Sequence, residues 1–260
     1  MPIAKIVLIS AGNVATQLGK TLHLKGFKIV QVLSRTQKSA ESLASTIGAR
    51  AISDFSEVIP DADLYLISVP DDAISEIISK IKPEHGIVAH TSGAIGMDIL
   101  QKSSGSFGVF YPLQTFSKSR EADFSVIPVC IEASDSETRL CLADVAAKIS
   151  KDVRFIDSFQ RSRIHLAAVF VNNFTNYMYT LGEEILDKND ISFDILHPLI
   201  RETAEKIQQQ NPRKAQTGPA IRNDKKVILK HLGMLKDEPE IQKIYQLISE
   251  QISKSSIKKS

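Results

Sequence analysis

The sequence contains no tryptophan and only two cysteines, and no run in it reaches the length of about 18 apolar residues that a membrane helix needs. Cys130 and Cys141 stand in no C-x-x-C pair or other zinc spacing, so no metal site is expected and both thiols are expected to be free. The first ten residues lack the apolar core of a signal peptide. These absences favour a cytoplasmic protein with no membrane partner.

The charge of the chain gives no sign of a polyanionic partner. The 32 Lys and Arg residues are nearly balanced by 30 Asp and Glu residues, and the two signs are interleaved along most of the chain. Nucleic acid is therefore not expected as a partner. The one exception is the lysine-containing tail from Ser253 to Ser260, which we interpret as a solvated end; the alternative is a segment that binds a partner.

Short apolar runs alternate with helical patterns through the first 157 residues. The runs are uninterrupted rather than alternating, as in strands that are buried on both faces of a parallel sheet. This pattern predicts an α/β fold, a doubly wound and mostly parallel sheet of the Rossmann-like kind over residues 1–157. The expected strands are Lys5–Ile9, Lys28–Leu33, Leu64–Val69, Ile87–His90, Phe107–Tyr111, Val126–Glu132 and Val153–Ile156. The expected helices are Asn13–Lys25, Thr36–Ile47, Asp71–Ile81, with acidic residues capping its start, and Ser136–Ser150.

The pattern changes beyond residue 157, where no strand signal remains. Residues 158–260 are therefore predicted to form an all-α domain. Its expected helices are Phe159–Lys188, Phe193–Gln210, Asp224–Leu235 and Pro239–Ser253.

The stretch IVLISAGNVATQL, from Ile6 to Leu18, reads as a strand, a turn and the start of a helix. Ser10, Gly12 and Ala15 occupy the three glycine positions of the dinucleotide fingerprint G-x-G-x-x-G. Serine at the first position carries a cost only if that position needs a positive φ. A pyrophosphate would lie at the N-terminus of the following helix, against residues 10–14, which are Ser10, Ala11, Gly12, Asn13 and Val14. The alternative is a Rossmann fold that binds another nucleotide, or none.

The end of the second strand bears on the choice of cofactor. An NAD site usually has Asp or Glu there, but this strand ends in Ser34, Arg35 and Thr36. A guanidinium flanked by hydroxyls suits a 2′-phosphate, so we predict NADP(H) rather than NAD(H). The alternative is a surface arginine at the start of a helix. Val69 and Pro70, after the strand Leu64–Val69, are expected to line the same cofactor site.

Candidate catalytic groups follow the next two strands. His90 and Ser92 lie at the end of Ile87–His90, where a histidine with a pKa near neutral would donate a proton. The alternative is a histidine that is bonded to the loop backbone. Tyr111, Gln114 and Thr115 either reach the same crevice or only order their loop.

The helix RSRIHLAAVFVNNFTNYMYTLGEEIL carries further polar residues. At 100° per residue His165, Val169, Asn172 and Asn176 share one face, and Asn173 lies about 80° away from them. Amides within an apolar helix are costly unless they are satisfied, so they face either a polar cleft or a partner helix. We favour the cleft.

Several motifs together resemble a known group of proteins. They are the AGNVA turn, the SRT strand end, HTSGA, YPLQTF, HLAAVFVNNF and TGPAIRND before His231. Their layout is similar to that of the β-hydroxyacid dehydrogenase superfamily, which includes pyrroline-5-carboxylate reductase and ketopantoate reductase. The closer resemblance is to Rossmann-like proteins that carry a C-terminal domain of unknown function and are regarded as NADP oxidoreductases.

The resemblance implies roles for individual residues. In β-hydroxyacid dehydrogenases a helix with the pattern A-A-K-x-x-N-N provides a lysine as general acid, and its second asparagine orients the substrate. Val169 stands at the lysine position here, and valine cannot transfer a proton. His165 is therefore the first choice of proton donor and His90 the second, while Asn172 and Asn173 match the asparagine pair. The resemblance also implies a homodimer formed through the helical domain.

These inferences predict an NADPH-dependent reductase that acts on the carbonyl or imine of a small, carboxylate-bearing metabolite. The alternative is a non-catalytic NADP-binding sensor or scaffold, which Ser10 and Val169 favour. A third possibility is a Rossmann domain for another nucleotide, such as a methyl donor. The SRT strand end argues against it, because such ligands lack the 2′-phosphate.

Overall fold

The computed structural model describes residues 3–257. Two compact units divide the chain, Met1–Asn173 and Phe174–Ser260. The predicted domain boundary between residues 157 and 158 stays a prediction. Of the tail that we interpret as a solvated end, residues 258–260 lie outside the described range.

The first unit contains one sheet of eight strands. They are β1 (Lys5–Ile9), β2 (Lys28–Leu33), β3 (Arg50–Ile52), β4 (Leu64–Ile67), β5 (Ile87–His90), β6 (Ser106–Pro112), β7 (Val129–Ala133) and β8 (Val153–Phe155). Their order across the sheet is β3-β2-β1-β4-β5-β6-β7-β8. Every neighbouring pair is parallel except β6 and β7. The predicted α/β class with a mostly parallel sheet is confirmed.

Helices cover both faces of this sheet. They are α1 (Asn13–Leu24), α2 (Gln37–Ile47), α3 (Ile74–Lys80) and α4 (Ser136–Ile149); α5 (Ser158–Ala168) follows β8. Because side chains alternate along a strand, Ile6 and Leu8 of β1 join one apolar cluster, and Val7 and Ile9 join the cluster on the other face. Burial on both faces explains why the strands read as uninterrupted apolar runs.

Two local predictions in this unit need correction. Strand β3 was not predicted, because its three residues carry too little pattern to be recognised. The segment expected as one helix over Asp71–Ile81 is a 3₁₀ turn at Asp71–Ala73 followed by α3. Within the described residues no side chain caps either piece, so the predicted acidic cap was wrong.

A π-helical segment, Val169–Phe174, follows α5 and is followed in turn by α6 (Thr175–Asp187). The sequence predicted one regular helix over Phe159–Lys188. A π turn holds more residues than an α turn, so the rotation of 100° per residue does not hold between His165 and Asn176. The prediction that these residues share a single polar face therefore used the wrong rotation per residue.

The second unit consists of helices and loops in its described part. After α6 come α7 (His197–Gln209), α8 (Pro212–Ala215), α9 (Lys225–Met234) and α10 (Pro239–Ile257). The predicted all-α character is confirmed, and only the short α8 falls in a segment that was expected to be a loop. Asp224 caps α9, because its Oδ1 accepts the N–H of Val227 at 3.2 Å. Within residues 3–257 every helix is too short or too polar to span a bilayer.

Candidate functional site

A cavity of about 740 Å³ opens at the carboxyl ends of β1, β2 and β4. Crevices at this edge of an open parallel sheet are the usual ligand sites of doubly wound folds. The walls include every residue that was predicted to hold a cofactor except Thr36. Those residues are Ser10, Ala11, Gly12, Asn13, Val14, Ser34, Arg35, Val69 and Pro70.

Ser10 forms the tight turn between β1 and α1 in a backbone conformation that favours glycine. Its φ is +137°, so the position does need a positive φ and serine carries the associated strain. Two hydrogen bonds hold the turn. Its N–H donates to the Leu33 carbonyl at 2.9 Å, and its Oγ accepts the N–H of Gly12 at 2.9 Å.

The start of α1 is arranged to receive an anion. No side chain among the described residues caps it, and its first turn contains no acidic residue. The N–H groups of that turn and the helix dipole therefore favour negative charge at this end. A Cβ on Gly12 would lie 3.2 Å from Ser10 Oγ, so the glycine keeps the turn compact. Ala15 is fully buried, which accounts for a small residue at the third fingerprint position.

Ser68, which follows β4, is a cleft residue with an unsatisfied hydroxyl. Its Oγ is inaccessible to solvent, and it has no hydrogen-bond partner among residues 3–257. Since a buried hydroxyl without a partner is costly, a polar group of a bound ligand would satisfy it. Sequence reasoning passed over this residue.

The end of β2 places Arg35 in the cleft beside Ser34. Thr36 has a different role, because its Oγ1 accepts the N–H of Ser39 and donates to Ser39 Oγ at 2.8 Å, which caps α2. Ser39 itself lines the cleft and keeps its own hydroxyl proton for a ligand. The side chains that line this end of the cleft are therefore Ser34, Arg35 and Ser39, and Thr36 caps the adjoining helix; their predicted role in anion binding stays a prediction.

Three other cleft residues had no clear signal in the sequence. Ser53 and Phe55 follow β3, the strand that was not predicted, and Lys118 belongs to the long loop between β6 and β7. The ammonium of Lys80 lies 5.1 Å from the centroid of the Phe55 ring.

The register of the sheet brings the next two strand ends beside this cleft. Ile9 pairs with Ile67, Ile67 with His90, and His90 with Val109. The loops that follow β5 and β6 therefore start at the same edge as the loop that follows β4.

His90 is fully buried, and its Nδ1 accepts the N–H of Ser92 at 3.1 Å. This bond leaves the ring proton on Nε2. The backbone of Gly96 lies near the ring, yet within residues 3–257 no group has hydrogen-bond geometry at Nε2. Burial, followed by the charge of Arg161, lowers the pKa of His90 to about 4. The predicted pKa near neutral is wrong, and the alternative, a bond to the loop backbone, is present.

Ser92 orders the loop after β5. Its Oγ accepts the N–H groups of Ala94 at 3.1 Å and Ile95 at 3.0 Å. The residue is almost fully buried, and its hydroxyl proton remains available to a further acceptor. This bonding fixes the path of the chain through Gly93.

An ion pair of buried Arg161 with Glu132 anchors α5 to the sheet. Arg161 is 1% exposed, and its Nη2 donates to the Ile95 carbonyl at 2.6 Å. Ser158 adds two bonds to the Glu132 carboxylate, from its N–H at 2.9 Å and from its Oγ at 2.7 Å. Together these contacts join the first turns of α5 to β7 and to the loop after β5. No local pattern indicates this cluster, because Glu132 and Ile95 lie far from Arg161 along the chain.

His165 lies one turn beyond Arg161 on α5 and is partly buried. Its Nδ1 is 3.3 Å from the Tyr111 hydroxyl at the end of β6, and the two rings meet edge to face with centroids 6.3 Å apart. The structure thus brings His165 against Gly93 in the loop after β5 and against Tyr111 at the end of β6. No feature of the sequence pairs it with Tyr111.

Asn172 and Asn173 both lie in the π-helical segment and are exposed. The cost of burying an amide therefore does not explain them. π turns inside helices are frequent at functional sites. The predicted role of Asn173 in orienting a substrate, and the predicted catalytic role of Asn172, stay predictions.

Comparison with known proteins identifies the family. Residues 2–110 match the Rossmann-like domain, and residues 127–252 match the domain of unknown function DUF2520. A crystallised protein of Bacteroides fragilis, named "putative NADP oxidoreductase", is 48% identical over 97% of this chain and 98% of its own, with a TM-score of 0.93. The chain belongs to the DUF2520 family. A search for curated relatives finds no match.

More distant structures share the fold of this DUF2520 protein. A Thermotoga maritima protein is 21% identical over 98% of this chain and 99% of its own, with a TM-score of 0.74. An imine reductase from Myxococcus stipitatus, solved in complex with NADP⁺, is 11% identical over 96% of this chain and 92% of its own, with a TM-score of 0.65.

Proposed function

We propose that this DUF2520 protein is an NADP(H)-dependent oxidoreductase that reduces the carbonyl or imine group of a small, carboxylate-bearing metabolite. The observation that carries the proposal is the cleft, where Arg35 replaces the usual strand-end carboxylate and an uncapped helix begins at Asn13. The Bacteroides fragilis relative carries the name of an NADP oxidoreductase, and the Myxococcus stipitatus structure holds NADP⁺, which supports the same cofactor here.

The residues of the cleft fit such a cofactor. The pyrophosphate would bind at the turn of residues 10–14, with the N–H groups at the start of α1 as donors. The Oγ of Ser68, which has no partner among residues 3–257, would form a hydrogen bond with the same ligand. Ser34, Arg35 and Ser39 would hold the 2′-phosphate. Val69 and Pro70 would line the path toward the reacting end.

When bound, the nicotinamide supplies a hydride to the substrate carbon. His165 is the source of the proton, given directly or through a neighbouring group, since Val169 cannot supply one and since the low pKa of His90 keeps its ring neutral. His90 and Ser92 hold the loop at Gly93 in place, and His90 offers an Nε2–H as a hydrogen-bond donor. Exposed Asn172 and Asn173 are available to bind the substrate carboxylate.

We further propose a homodimer formed through the helical region. Large apolar side chains remain exposed in Phe174–Ser260, and surfaces of this kind often mark interfaces. They include Tyr177, Met178, Ile185, Ile191, Ile195, Leu199, Ile207, Leu229, Met234, Leu247 and Ile248.

The experiment that tests the function follows NADPH oxidation with pyruvate, phenylpyruvate, 1-pyrroline and 1-pyrroline-2-carboxylate as probes. The reductase should turn over one probe class, and His165→Ala should lose about 100-fold or more of kcat while its NADPH affinity is unchanged. NADPH binding without turnover of any probe would instead favour the non-catalytic sensor or scaffold.

A further inference from the structure

Tyr111 and His165 form the one polar contact in the described part of the chain that links the end of β6 to the later turns of α5. The Tyr111 Oη and His165 Nδ1 are 3.3 Å apart, although 54 positions separate the residues in the sequence. Neither partner is freely accessible, because both are partly buried.

Gly93 makes this contact possible. A Cβ at that position would lie 2.6 Å from His165 Nδ1 and 2.8 Å from Tyr111 Cζ. The backbone of the loop after β5 therefore packs directly against both rings. Ser92, on one side of the glycine, holds the loop through its two backbone hydrogen bonds. Both rings are thus packed against the backbone at Gly93.

The surroundings of Tyr111 keep its hydroxyl protonated. Burial is the main reason why the pKa of Tyr111 is raised; Cys130 and Asp71 add to the effect, and the charge of Arg161 opposes it. By itself, a phenol that resists ionisation is a poor proton donor, because the loss of its proton would leave a buried phenolate. It can still pass a proton to the substrate if a second group donates a proton to its oxygen in the same step.

We infer that Tyr111 is a catalytic residue, which gives its proton to the substrate and receives a proton from His165, on the strength of the 3.3 Å contact that Gly93 permits. The inference rests on the proposed function. The substrate carbon gains a hydride from NADPH, and the π-electron pair of C=O or C=N moves to the oxygen or nitrogen. That atom takes the proton of Tyr111 Oη, and Oη takes the proton of His165 Nδ1–H. Water then returns a proton to His165, and Tyr111 never becomes a phenolate.

The kinetic test compares Tyr111→Phe with Tyr65→Phe, using NADPH and the four probes named above. Tyr65 is a matched control, because its buried hydroxyl donates to the Ile59 carbonyl at 2.8 Å in another part of the unit. Tyr111→Phe should lower kcat about 100-fold or more, with KM and the NADPH affinity within about threefold of the wild type. Tyr65→Phe should keep kcat and lower the melting temperature.

A second readout does not depend on turnover. Protein labelled with ¹⁵N in its histidine rings is measured by NMR without cofactor, and His165→Gln assigns the signal. Tyr111→Phe should shift the Nδ1 resonance of His165, and Tyr65→Phe should leave it in place.

The outcomes separate the two proposals. An unchanged kcat or an unchanged Nδ1 resonance in Tyr111→Phe overturns the role of Tyr111 while leaving the reductase intact. A wild-type protein that reduces none of the probes contradicts the proposed function, and the inference fails with it.

Discussion

At the scale of single residues, Ser10 tests the cost of the altered fingerprint. Its φ of +137° is a conformation that glycine adopts freely and that other residues adopt only with strain. Ser10→Gly removes the strain, whereas Ser10→Ala keeps it, and both lose the bond to the Gly12 N–H. We therefore expect the glycine variant to be more stable than the alanine variant by about 1–2 kcal/mol in urea unfolding.

Ser45 provides the control for this comparison, because it lies on the exposed side of α2 in an ordinary helical conformation. There the alanine variant should be the more stable one. If the alanine variant is the more stable one at position 10 as well, Ser10 is not strained.

Arg35 carries the predicted preference for NADPH. Arg35→Ala should weaken NADPH binding about tenfold or more, since a charge-assisted contact with the 2′-phosphate is lost, and should leave NADH binding unchanged. Isothermal titration calorimetry measures both. Arg50→Ala is the matched control, because Arg50 is exposed and pairs with Glu57 rather than lining the cleft. Equal NADPH affinities in the wild type and Arg35→Ala would refute the assignment.

Adding one methyl group at Gly93 tests how closely the loop after β5 packs against the rings of His165 and Tyr111. Gly93→Ala should push His165 and Tyr111 apart and lower kcat, because the new Cβ would lie under 3.0 Å from both rings. Gly105→Ala has nothing within 4 Å of its Cβ and should behave like the wild type in the same assay. An active Gly93→Ala variant with an unshifted Nδ1 signal would contradict the packing argument.

The cleft residues that could be predicted from the sequence are those whose position follows from a short local pattern. The turn at Gly12 and the strand end at Arg35 follow from a strand, a turn and a helix read in order. Thr36 was assigned to the ligand and instead caps α2, because a hydroxyl at a helix start serves either purpose. The contact between Tyr111 and His165 depends on the packing of α5, which no local pattern reports.

At the scale of elements, the position of α5 depends on the ion pair of Arg161 with Glu132. Glu132→Gln leaves a buried guanidinium without its counter-charge and should lower the free energy of unfolding by about 3–5 kcal/mol. Asp152→Ala is the control, because Asp152 and Arg154 form an exposed pair of little expected value. Similar losses in both variants, measured by urea unfolding, would show that burial of the pair does not matter.

The elements that the sequence predicted best are the long buried ones. β1, β2, α2 and α4 were recognised within a residue or two, because apolar runs and caps mark them clearly. Three features were not predicted, each for a physical reason. β3 is too short to show a pattern, and the antiparallel direction of β7 is set by the loop that precedes it. The π segment lies within a helix whose periodicity was assumed to be regular.

At the scale of the whole molecule, the proposed homodimer is open to a direct test. Sedimentation velocity at micromolar concentration should give the mass of a dimer, and Leu199→Lys on α7 should weaken it. Leu24→Lys, at an exposed apolar position in the first unit, should have no effect. A wild-type protein that sediments only as a monomer would remove the dimer from the account.

The central claim is that the altered turn still holds a dinucleotide and that the cleft selects NADPH. Titration of the wild-type protein with NADPH and NADH, followed by nicotinamide fluorescence, tests it most directly. We expect saturable NADPH binding with a Kd about tenfold or more below that for NADH. Equal affinities, tighter NADH binding or no binding of either dinucleotide would contradict it.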